Sequence, residues 1–282
     1  MCHGKGRICL SESANIPKPD LLAIIALAIP AYALANIAHE ALGHGGACVL
    51  VGCTPHLVTS IQFDGDYAQL PASSARIIEA GGSIMNLVCA VVAATLLRRS
   101  SPDRPARWLF LWLFGSLSLM QATGYLLFSG VGNVGDWASI VSGLPGGAVW
   151  KIVLIVVGGV TYWLSVRWSM RRLGLHLSTT GGRPRAAEAY RYTLVAYITG
   201  AVLYVVAGSF DPAAQEIILI SGVAASLGGT SGFAWGPQML RNPNMVKPVQ
   251  PLAALERDWR WITVAVVCAA IFVAVLGPGV RF

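Results

Sequence analysis

The hydrophobic positions of this chain form long runs separated by polar loops. Apolar stretches lie near residues 21–50, 76–97, 107–129, 148–168, 192–210, 213–235 and 259–279. Each is close to the roughly 20 residues a helix needs to cross a hydrocarbon core. The pattern predicts seven transmembrane helices. Six is the rival count, because the sixth run is interrupted by the glycine-rich Leu227-Gly-Gly-Thr-Ser-Gly232. Pro17 and Pro19 precede the first run, and Asp20 is placed to cap its helix. Between the first two runs, His56 to Tyr67 alternates β-branched and aromatic residues until Asp64-Gly65-Asp66 breaks the pattern, which reads as a short β-hairpin. The expected fold class is an all-α polytopic membrane protein with that hairpin between helices one and two. It divides into a tail (1–19), a core with helices one to three (20–140) and further helices four to seven (141–282). Within the last part, the proline-rich 236–251 reads as a linker, and Trp259 and Trp261 as residues of an interfacial aromatic belt.

Composition agrees with this reading. Of 282 residues, 55% are hydrophobic and 12% charged, where a soluble domain has about a quarter charged. Mean hydropathy is +0.62. The net charge of +7 could suggest nucleic acid, but its placement argues otherwise, because the basic residues fall in alternate loops. Lys5, Arg7 and Lys18 precede the first span. Arg98, Arg99, Arg104 and Arg107 follow the second, Arg167 to Arg191 follow the fourth, and Arg241, Lys247, Arg257 and Arg260 precede the last. Loops of the other parity carry Asp64, Asp66, Asp211 and Glu216. The positive-inside rule then puts the N-terminus in the cytoplasm and the C-terminus outside, in a plasma (inner) membrane. The partners expected are the bilayer and a membrane-embedded peptide, with no nucleic acid. No phosphate-binding loop, dinucleotide fingerprint or internal repeat is present. The six cysteines show no disulfide framework. Cys48 and Cys53 could pair on the outer side, and Cys2, His3 and Cys9 read as part of a frayed tail rather than a metal site.

Chemistry concentrates in residues 36–48, where Asn36, His39, Glu40 and His44 interrupt apolar sequence. Ionisable groups at membrane depth are costly and by default suggest function, and these residue types bind and use zinc. The spacing is H-E-x-x-x-H, one residue longer than the helical H-E-x-x-H of zinc peptidases. At about 100° per residue, histidines five apart stand about 140° apart on a regular α-helix and cannot share an ion. A single-turn π-bulge restores the shared face, and Gly43 gives the backbone room for one. Alternatively Glu40 and His44, four apart, are the ligands and His39 only supports them. The plain reading is a polar helix end near water. Asp136, at the end of span three, offers a third ligand, with Asn133 three residues before it, and His56 is an alternative ligand. Asn86, in the glycine-led Glu79-Ala-Gly81-Gly82-Ser-Ile-Met-Asn86, could hold substrate backbone or orient a ligand. Asn36 could also orient one, or make an inter-helix hydrogen bond. Glu79 and Arg76, three apart, read as a surface pair. The end of span one, the start of span two and the end of span three share one side of the membrane, so these clusters can converge.

Residues 30–140 together resemble the site-2 protease family of intramembrane zinc metalloproteases. The likeness rests on His39-Glu40-Ala-Leu-Gly-His44, a strand at 57–63, Ala80-Gly81-Gly82-Ser-Ile-Met-Asn86, and Asn133-Val-Gly-Asp136. Residues 148–282 carry none of it. A soluble zinc peptidase family, dipeptidyl peptidase III, uses the longer H-E-x-x-x-H spacing with both histidines on the metal. The resemblance implies one zinc ion held by His39, His44 and Asp136. It makes Glu40 the general base for a zinc-activated water and the proton donor to the leaving amine, with Asn86 on the scissile strand. It differs from familiar members in placing the site towards the outer face. Two other functions suit the same residues, a membrane metallohydrolase of a lipid amide or ester and a non-enzymatic metal-binding or structural membrane protein.

Overall fold

The computed structural model describes residues 18–67, 69–180, 183–212 and 227–282. Cys2, His3, Cys9 and most of the sixth predicted span lie outside these residues. The first apolar run is one continuous helical rod. α1 (Leu21–Ile37) passes into a π-helix (Ala38–Gly45) and then α2 (Gly46–Leu50). Asp20 caps it as its residue type leads one to expect, its carboxylate accepting from the Ala23 N–H at 2.9 Å. α3 (Ala72–Arg98), α4 (Pro105–Gly132), α6 (Gly147–Gly174) and α7 (Ala186–Gly208) follow, with a short α5 (Asp136–Val141) between α4 and α6. Among the described residues, five helices are long and apolar enough to cross a membrane.

The expectation of seven spans meets a different picture beyond α7. Residues 227–241 continue as a helical turn, α8 (Gly232–Trp235) and a 3-10 helix (Gly236–Arg241). They run from Gly229 against Gly124 of α4 to Leu240 against Gly174 of α6. Gly232 and Gly236 let this segment pack closely on Val166 of α6. The last apolar run is helical over α9 (Trp259–Ala274) only, shorter than a full span.

α4 lies at the centre, and the largest fully buried side chains around it include Trp108, Trp112, Tyr32, Tyr204, Phe233 and Phe272. α3 and α6 instead present Ile84, Leu87, Val91, Ile152, Val156 and Val160 outward, as helices bordering lipid do. The basic loops gather at one end of the bundle. There Asp20 meets Leu255 and Arg257, and the Pro102 and His176 carbonyls receive the N–H groups of Ala253 and Leu252. At the other end β1 (Thr54–Val58) pairs with β2 (Phe63–Asp66), and the C-terminal Val280–Arg281 adds a third strand in the order β2-β1-C-terminal strand. Two short strands at Thr179–Thr180 and Arg183–Pro184 pair separately.

The hairpin exists, but its turn lies at Thr59–Gln62 and not at Asp64-Gly65-Asp66, which belongs to β2. The Thr59 hydroxyl accepts from the N–H groups of Ile61 and Gln62 and so makes the reversal. Asp211, just past α7, holds this turn in place, accepting from the Thr59 hydroxyl at 2.6 Å and the Gln62 amide at 2.9 Å. Cys48 and Cys53 are disulfide-bonded, tying the end of the first rod to β1. Sequence spacing alone could not favour that bond, because it depends on the tight reversal after Leu50.

Candidate metal centre

The π-helix is what makes the centre. Its wider turn places residues five apart on one face, so the imidazoles of His39 and His44 meet with Nε2 atoms 3.2 Å apart. Glu40 and His44 are therefore not the pair that converges. α5 begins at Asp136, and the preceding Asn133 (φ 56°) and Gly135 (φ 86°) fold the chain back so that its carboxylate meets the histidines. Asp136 Oδ2 lies 3.2 Å from His39 Nε2 and 3.5 Å from His44 Nε2. These three side chains form a group able to hold a metal ion. All are buried or nearly so.

The triangle fits a metal. Two imidazole nitrogens and a carboxylate oxygen are the donor set of a catalytic divalent site, and tetrahedral zinc with bonds of about 2.0–2.1 Å sets its ligands about 3.3 Å apart. Asp136 Oδ2 is buried, and beyond its close contacts with the two imidazoles it has no hydrogen-bond partner among the described residues. Such an orphaned acceptor invites a cation. Burial alone would raise the Asp136 carboxyl, but the imidazoles of His44 and His39 hold it well below the usual carboxylate range. Gly82 leaves the space: a Cβ there would lie 2.5 Å from His39 Nε2 and 2.6 Å from His44 Nε2. Gly43 and Gly81 in turn allow the π-helix and α3 backbones to touch.

The other nitrogens are also accounted for. The Ile78 carbonyl lies 2.8 Å from His44 Nδ1 and can only accept, so Nδ1 carries a proton, and in the neutral ring the Nε2 lone pair faces the triangle. His39 Nδ1 instead meets the Asn86 amide at 3.1 Å. Asn86 therefore reaches a histidine ring, and its own partner is Gln121 on α4. Glu40 is buried beside His39 and outside the converging triad, within electrostatic reach of both histidines and Asp136. The ring of Phe63 on β2 lies parallel to that of His44, 6.5 Å away.

Other expected site residues lie elsewhere. His56 is exposed on β1, where its carbonyl receives the Phe282 N–H, and it is not part of the donor group. A strand side chain on the outer face cannot reach the helix rod. Asn36 donates to the Ser60 carbonyl and secures the hairpin rather than a ligand. Asn133 is exposed in the turn before α5. Arg76 does not pair with Glu79; its Nε donates to the Ile140 carbonyl at 2.9 Å. With the indole N–H of Trp137, which donates to the Ser83 hydroxyl at 3.0 Å, it fastens α5 to α3. The hydrophobic pattern gave no sign of this role for Trp137, or of the parts played by Ser83, Gln121 and Tyr204. Only the stripe Gly82, Ser83, Asn86 on one side of α3 hinted at a polar face. Compared with known proteins, the chain matches no protein-family model, no curated protein and no solved structure.

Proposed function

We propose that the chain is an intramembrane zinc hydrolase of the site-2 protease type, cleaving a peptide bond in or near a membrane segment. The observation that carries the reading is the triangle of His39, His44 and Asp136 on a π-bulged helix, with the buried acid Glu40 beside it. Zinc bound there would supply a Lewis acid and an acidified water for attack on a carbonyl. Glu40 would take the proton of that water and return it to the leaving amine, a role worth about 10²–10⁴-fold in rate. Burial of Glu40 among helices keeps bulk water from competing for that proton. The seven-span topology belongs to the same proposal, with residues 213–235 and 259–279 as the two further crossings.

A peptide substrate is favoured over a lipid because β2 is the outer strand of its sheet and carries Phe63 against His44. An edge strand beside the site offers backbone pairing to an extended chain. The Cys48–Cys53 disulfide supports placing this end outside the cytoplasm, where such bonds persist.

The test is cleavage of a membrane-anchored peptide library by the purified protein, with Glu40→Gln alongside. Wild-type cleavage, lost in the variant while its zinc content stays near one per chain, is expected. A wild type free of zinc after zinc is supplied would sink the proposal. Release of fatty acid instead of peptide would favour the lipid hydrolase.

A further inference from the structure

His44 ends at a backbone carbonyl, but His39 is backed by a longer chain of side chains. Asn86 Nδ2 reaches His39 Nδ1 at 3.1 Å and donates to Gln121 Oε1 at 3.3 Å. Gln121 Nε2 donates to the Tyr204 hydroxyl at 3.0 Å, and that hydroxyl donates to the Tyr32 carbonyl at 3.3 Å. The relay thus joins the first rod, α3, α4 and α7. Asn86, Gln121 and Tyr204 are 0%, 1% and 0% exposed, so their bonds are shielded from bulk water. Asn86 Oδ1 has no partner among the described residues.

The direction of these bonds has a chemical meaning. With Asn86 donating to Nδ1, the proton of a neutral His39 is on Nε2, pointing into the triangle. A nitrogen carrying a proton cannot bind a metal. For Nε2 to be a ligand the proton must move to Nδ1, and Asn86 must present its oxygen there. A half-turn of the amide does this and brings the same oxygen to Gln121. Gln121 must then turn too and donate to Asn86, leaving its own oxygen to accept from the Tyr204 hydroxyl, which gives up its bond to the Tyr32 carbonyl. The relay therefore has two self-consistent directions, one for each tautomer of His39.

Building on the zinc reading above, we infer that Asn86, Gln121 and Tyr204 are positioning residues whose hydrogen-bond direction selects the His39 tautomer, so that reversal of the relay accompanies metal binding. Neighbours that orient a ligating histidine commonly change metal affinity by about 10–100-fold.

The test pairs two isosteric substitutions, Asn86→Asp and Gln121→Glu, in the full chain purified in detergent, with zinc affinity measured by competition against a chromophoric chelator. The carboxylate introduced by Asn86→Asp can only accept, so it holds His39 in the binding tautomer, and zinc should bind at least as tightly as in wild type. The carboxylate introduced by Gln121→Glu accepts from Asn86 and so holds the amide donating to Nδ1, and zinc should bind about tenfold more weakly. A charge effect would tighten both variants and plain structural damage would weaken both, so a change of the same sign in both overturns the inference. A second readout needs no variant: long-range proton–nitrogen NMR of wild type should show the His39 proton on Nε2 before zinc is added and on Nδ1 afterwards. A His39 proton already on Nδ1 before zinc also overturns it. A wild type that takes no zinc removes the metal reading and this inference with it, whereas zinc in wild type with like-signed variants removes the inference alone.

Discussion

At the residue scale the centre depends on an absent side chain as much as on the donors. Gly82 faces the two Nε2 atoms so closely that a methyl group would stand where a cation must. Gly82→Ala is therefore expected to lower zinc affinity by about tenfold or more, while thermal unfolding in detergent shifts far less than for a core truncation. Undiminished zinc binding in that variant would mean that the triangle is not the site. Acid should act in one direction. Protons compete with zinc for the Nε2 atoms of the triangle, whereas Asp136, held well below the usual carboxylate range, stays ionised. Zinc affinity should thus fall steadily as pH falls from neutral, the decline reflecting the histidines and not the carboxylate, and Asp136→Asn should keep the same pH slope at a lower overall affinity. Competition titrations at several pH values measure this.

At the element scale the third ligand is presented by a helix of six residues, α5, too short to hold itself in place. Two side-chain bonds to α3 do so, from Arg76 to the Ile140 carbonyl and from Trp137 to Ser83. Removing both with Arg76→Ala and Trp137→Phe should weaken zinc binding by about tenfold, although neither residue touches the triad. Chelator competition on the double variant tests it, and an unchanged affinity would show α5 to be self-supporting. The Cys48–Cys53 bond closes a small loop at the end of the π-bulged rod. Replacing both with serine should cost about 2 kcal/mol of stability, measurable as a lowered unfolding midpoint.

At the scale of the whole molecule the helices order charge and chemistry to opposite ends. The arginine-rich loops meet around Asp20 and Pro102, while the hairpin, Asp211, the disulfide and the C-terminal strand gather near the histidines. If that polarity follows the positive-inside rule, Asp64→Cys should react with an impermeant thiol reagent on intact cells. Ser101→Cys should react only after permeabilisation. The reverse labelling would place the site on the cytoplasmic side.

Much of this was legible in the sequence. The long apolar runs require helices because nothing else satisfies the backbone in lipid, and the first five of the seven runs match the long helices to within about six residues at their ends. The five-residue spacing of His39 and His44 required either an irregular helix or no shared ion, and the helix is π at that place. What the sequence could not decide were contacts between distant segments. The pairing of Cys48 with Cys53, the docking of the C-terminus on β1, the turn at Thr59 and the clamp of Asp211 all depend on which surfaces the packed bundle brings together. The same holds for the chain from His39 to Tyr204, whose members are separated by up to 83 residues between consecutive links. Hydrophobic patterning sets where a helix lies relative to lipid, a force that acts along one segment at a time. A buried polar group must find its partner among groups fixed by every other segment, and that match is settled only when the whole bundle closes.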